Sequence, residues 1–76
     1  MSRTPICDAI AADPARYLFK TGLQALLAAS GFAERDHYGK RLAGHLDGLM
    51  EAEIISREQF RVAANEINAF VWEQLP

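Results

Sequence analysis

The segment Ile55-Ser56-Arg57-Glu58-Gln59-Phe60 does most to narrow what this chain can fold into. Ser56 and Gln59 have the spacing of a capping box, in which each side chain bonds the other residue's backbone N–H and satisfies two of the amides that a helix start leaves open. Ile55 and Phe60 fall at the flanking positions whose apolar side chains meet across such a cap. A helix therefore begins at residue 57. Phe60, Ala64, Ile67, Val71 and Leu75 continue from it as one apolar stripe, widened by Ala63 and Phe70, and carry the helix to about residue 75.

Proline marks two further starts. Thr4-Pro5 and Asp13-Pro14 each pair a capping residue with a proline at the first helical position, where a missing N–H costs nothing. Pro14 also turns Asp13 away from helical angles, so a first short helix spans about 5–12 and a second about 14–30. Ile6, Cys7 and Ile10 give the first an apolar edge; Ala15, Phe19, Leu23, Leu26 and Leu27 give the second its stripe. Gly22, among small neighbours, predicts close approach of another helix. Gly31 reads as the left-handed residue that ends the second helix, with Phe32 placed to touch Leu27. After a polar link from Ala33, Asp36 is the expected cap of a third helix over 37–52, burying Tyr38, Leu42, Leu46, Leu49 and Met50. Gly44 and Gly48, one turn apart, read as a second place where a neighbouring helix crowds in. No alternating apolar run is long enough for a strand.

The expectation is an all-α single domain over residues 1–76, a small bundle of three main helices with a short N-terminal one. Chains this short gain little from one core and draw on disulfides, metals or association. The lone cysteine, Cys7, excludes an internal disulfide and suits a reducing compartment. With no apolar run of spanning length and no signal-like apolar segment, the expected location is the cytoplasm and no membrane is expected as partner.

Residues 46–60 resemble the short helical hairpin of the SHOCT family. Leu46, Leu49, Ile55, Ser56 and Phe60 fall where that pattern has its leucines, isoleucine, threonine and phenylalanine. Glu53 stands in the place of its glycine and Gln59 in that of its glutamate. Because a glutamate in a left-handed conformation is strained, the turn is expected to close differently here. The resemblance implies oligomerisation or partner contact, without catalytic residues.

Chemistry-bearing residues are few. His37 and His45 lie eight positions apart, about 80° round a helix and two turns along, which is unsuited to one metal ion. His37 is expected in solvent. His45, beside Leu42, Leu46 and Leu49, is expected to donate to a neighbouring carbonyl, with a partner contact or pH-sensitive role as the alternative. Cys7 falls in a first helical turn, where the dipole favours the thiolate, yet Ile6 and Ile10 beside it argue for burial. The five glycines lack any phosphate-binding spacing. No enzyme, cofactor or metal site is expected.

What remains is surface. Residues 1–41 carry six cations against four anions, and residues 42–76 two against six. Tyr17, Leu18, Val62, Phe70 and Trp72 lie at or beyond the edges of the stripes and suit either a wider core or a contact surface. The leading expectation is a non-catalytic protein–protein interaction module. Its small size and Ala- and Arg-rich composition extend this to a phage- or mobile-element-encoded accessory protein that sterically inhibits a larger host complex. Tyr17, Glu51, Glu53, Glu58 and Trp72 are the expected partner-binding residues, the acids steering it to a basic site; a homodimer is a further expectation. The alternative is a small transcriptional or nucleoid-associated regulator that binds DNA directly or through a partner, with Arg35, Lys40 and Arg41 as its nucleic-acid residues. Against it, neither Gly31 nor Gly39 is preceded by the small residue that a helix-turn-helix wants four positions earlier: those places hold Leu27 and Arg35.

Overall fold

The computed structural model describes residues 2–72. It contains α1 (Pro5–Ala11), a 3₁₀ turn (Pro14–Arg16), α2 (Tyr17–Leu27), α3 (Phe32–Glu51) and α4 (Arg57–Trp72), with no strand among the described residues. The all-α bundle expected from the punctuation is the fold. α3 packs against α2 on one side and α4 on the other, and α1 bridges α2 and α4 at the corner opposite α3.

The box at Ser56 forms as read: Ser56 N–H donates to Gln59 Oε1 at 2.8 Å, and Gln59 N–H to Ser56 Oγ at 3.0 Å. Ile55 is buried and Phe60 is half-buried against the core. Ala63, Ile67 and Val71 are the buried residues of α4, while Leu75 lies outside the described residues.

The second start differs. Asp13 accepts the Ala15 N–H at 2.9 Å, as a cap should, but the chain it starts is a 3₁₀ turn closed by Arg16 N–H to Asp13 O at 2.8 Å. The helix proper begins only at Tyr17, leaving Ala15 exposed. It buries Phe19, Leu23 and Leu26, and ends at Leu27, which is 42% exposed rather than core.

Gly31 does not end α2. Its φ of −142° and ψ of 168° are extended, and it is the N-cap of α3. That helix starts at Phe32, five residues before the expected position, and takes in the stretch read as a polar link. Nothing from Phe32 to Asp36 breaks a helix, and tertiary partners hold the added turn. The Phe32 ring packs on Trp72 with centroids 4.8 Å apart, and Arg35 Nε donates to the Val71 carbonyl at 3.4 Å. Asp36 is thus not a cap but lies inside the helix, one turn before Lys40 and paired with it at 3.0 Å.

The α3–α4 turn also departs from expectation. Ile54 N–H reaches Leu49 O at 2.9 Å and Glu53 N–H reaches Met50 O at 3.0 Å, the two bonds of a Schellman motif. Glu53 takes the left-handed place itself, at φ 60°. The turn closes in the glycine manner without a glycine.

Two of the three readings of helix crowding at glycine positions change. A Cβ on Gly22 would lie 3.1 Å from Leu42 Cδ1, the close approach anticipated. Gly44 and Gly48, however, face open space. The helix contact on α3 is at Gly39, where a Cβ would meet Val71 Cγ2 at 2.7 Å. Around these crossings Cys7, Ile10, Phe19, Leu23, Leu26, Leu42, Leu46, Leu49 and Ile67 form one buried cluster.

Thr4 occupies the N-cap position of α1 but makes no capping bond; its buried hydroxyl donates to Asp8 Oδ1 at 3.1 Å. The open amides of α1 are met from α4 instead. Glu66 accepts the Ile6 N–H at 2.9 and 3.1 Å and the Cys7 N–H at 2.9 Å.

Candidate functional site

The residues able to do chemistry are dispersed or enclosed. Cys7 is fully buried and its Sγ–H lies 3.6 Å from the Ala63 carbonyl. Burial above all, then the Glu66 carboxylate and Asp8, push its thiol well above the ordinary range, which opposes the thiolate that a nucleophile or metal ligand needs. His37 is exposed and lies edge-on to Tyr38. His45 is half-buried with its ring edge-on to Phe19 at 5.6 Å, an aromatic contact where a carbonyl partner was expected. Among the described residues no three His, Cys, Asp or Glu side chains cluster closely enough to hold a metal ion, and no helix is long and apolar enough to cross a membrane.

The three cations considered for DNA do not share a face. All lie on α3, where positions five and six residues beyond Arg35 fall about 140° and 240° round the axis. Arg35 is turned to the end of α4 and Lys40 to Asp36. Arg41 is exposed and has neither ion pair nor hydrogen bond among the described residues.

The expected partner-binding residues separate as well. Glu51 ends α3 and Glu53 follows it in the turn, both exposed. Glu58 opens α4 and is held by Arg61 at 2.6 Å, a pair that lowers the Glu58 carboxyl through that bond. Trp72 is 55% exposed but lies on Phe32, at the other end of α3. Nineteen residue steps of helix, about 28 Å, separate Phe32 from Glu51. One small contact cannot cover both ends.

Tyr17 belongs to a different surface, the outward side of α2. From Tyr17 to Ala29 the chain has a single charged residue, Lys20. Tyr17 is 66% and Leu18 62% exposed, and Thr21, Gln24, Leu27 and Ala28 are exposed with them. The helix buries Phe19, Leu23 and Leu26 on one side and leaves Tyr17 and Leu18 in water on the other, among exposed Lys20, Thr21 and Gln24.

Comparison with protein-family models, with curated proteins and with solved structures gives no match.

α2 and α3 run antiparallel, with Phe19 beside His45 and Gly22 beside Leu42. Between their outer edges lies an open groove of about 330 Å³, lined by Leu18, Thr21, Gly22, Ala25, Tyr38, Arg41, Leu42 and His45. On both helices these fall at steps of three and four residues, so the groove follows two full turns of each. Gly22 and Ala25 keep it open because neither offers more than a methyl group to fill it. Sequence reasoning named Tyr17 and Leu18 but not this groove. The signal for it was the missing charge of residues 17–29, which a count of stripe residues passes over.

Proposed function

We propose that this protein is a non-catalytic interaction module that binds a larger protein through the outward side of α2. One observation carries the reading: Tyr17 and Leu18, adjacent and each about two-thirds exposed, open a helix with a single charge in eleven residues. Leaving such a face in water forgoes the hydrophobic stabilisation that contact would supply, roughly 25 cal/mol per Å². The resemblance of residues 46–60 to partner-binding SHOCT hairpins points the same way. A small rigid body that presents a surface and no chemistry suits steric inhibition of a larger complex, as a mobile-element accessory protein would achieve it. Reduced, buried Cys7 suits the cytoplasm.

The test is a paired one. Immobilised chain captures a partner from its native host, identified by mass spectrometry, and the Tyr17→Ser/Leu18→Ser variant is compared with it. The expected result is lost capture with unchanged helicity and thermal midpoint. Undiminished capture by the double variant would remove the α2 face from the function.

A further inference from the structure

We propose that the α2–α3 groove receives an acidic amphipathic helix of the partner, which lays one or two bulky apolar side chains between Leu18 and Tyr38 and a carboxylate against Arg41. This rests on the module reading above and adds the chemistry of the occupant.

The argument is one of shape and charge together. The groove's floor and walls are Gly22, Ala25, Leu18, Leu42 and the half-buried Tyr38, an apolar trough two turns long, about 10 Å. That length matches the anchor spacing of a helix laid in a groove, where side chains three and four residues apart enter successively. Its ionisable rim is Arg41 and His45, with no carboxylate among the lining residues, although the whole chain has net charge −2. Other cations of α3 are engaged, Arg35 by the Val71 carbonyl and Lys40 by Asp36. Arg41, directly on the groove, has no ion pair or hydrogen bond among the described residues. A fixed guanidinium beside an apolar trough favours an apolar ligand bearing a carboxylate, because a bidentate Arg–carboxylate pair adds direction to non-directional burial. A second copy of this chain is the poorer occupant. Its matching face would bring Lys20, the only charge on α2, toward Arg41 and His45, adding a cation where an anion is wanted.

Three stapled, fluorescein-labelled helical peptides make the test. The first has leucines at i and i+4 with glutamates at i+3 and i+7; the second replaces the glutamates with lysine, and the third replaces the leucines with serine. With the full chain, anisotropy is expected to give at least tenfold tighter binding of the glutamate peptide than of either other. Arg41→Glu should reverse the preference between glutamate and lysine, and Arg41→Gln should abolish it. Amide shifts on titration should centre on Gly22, Ala25, Arg41 and His45. Equal binding of the three peptides, no binding at millimolar concentration, or shifts centred elsewhere would overturn the proposal, as would self-association of the wild type that Leu18→Ser abolishes. If the captured host partner needs Tyr17 and Leu18 but ignores Arg41→Glu, this inference falls while the module reading stands.

Discussion

Glu66 on α4 accepts the backbone N–H of Cys7 at 2.9 Å, fifty-nine residues away in the chain, and so caps a helix to which it does not belong. The same carboxylate takes the Ile6 N–H. A negative group at a helix start also meets the positive end of the helix dipole. With only seven residues, α1 is too short to persist by itself, so this bond and the burial of Cys7 and Ile10 are what hold it. Glu66→Ala leaves both amides open beneath the protein and should cost about 1–3 kcal/mol. Glu66→Gln, which keeps an acceptor, should cost less. Chemical denaturation gives the totals. Hydrogen exchange should show the Ile6 and Cys7 amides losing protection first.

Glycines on one helix should respond with opposite signs. Gly39→Ala drives a methyl into Val71, whose branched side chain is stiff, and should destabilise by about 1–3 kcal/mol. Gly44→Ala and Gly48→Ala meet nothing and should each stabilise by roughly 0.5–1 kcal/mol. Thermal midpoints of the three single variants decide it; a loss at Gly44 or Gly48 would contradict the packing described.

The left-handed Glu53 stores strain that a glycine would release. Glu53→Gly should stabilise by about 0.5–1 kcal/mol, and Glu53→Val should destabilise. For a domain of this size 1 kcal/mol moves the midpoint by roughly 4–8 °C, so both changes are measurable.

Cys7 should make stability fall in alkali. Its folded thiol is held above its ordinary range, first by burial and then by Glu66, so the unfolded chain gives up the proton at a lower pH than the folded one. The contribution is complete below the ordinary thiol range. It is lost as pH rises through that range toward the folded value, at most about 1.4 kcal/mol per pH unit. Guanidinium titrations at pH 7, 9 and 10 should show a steeper loss for wild type than for Cys7→Ala. A thiol reagent at pH 8 should label Cys7 only after unfolding.

What could be read along the chain follows from where each interaction's partner lies. The Ser56–Gln59 bonds join residues three apart, so sequence alone contains both ends of them. The Asp13-Pro14 start was equally legible, yet it produced a 3₁₀ turn before α2. The start of α3 was misplaced because Phe32 is held by Trp72 and Arg35 by Val71, forty and thirty-six residues on. Gly39, Gly44 and Gly48 are alike as letters and differ only in what stands opposite them. Of the candidate site, Tyr17 and Leu18 were visible as apolar residues off the stripe. The groove beside them needed the antiparallel pairing of α2 and α3.

The sequence by itself determined an all-α domain, its cap at Ser56 and the apolar faces of its helices, because propensity, capping and periodicity act over one or two turns. Only the tertiary structure decided that Glu66 caps α1, that Gly39 rather than Gly44 meets a neighbour, and that Arg41 borders an apolar groove. Those relations join segments brought together by folding, and no local pattern encodes which side chain arrives opposite which.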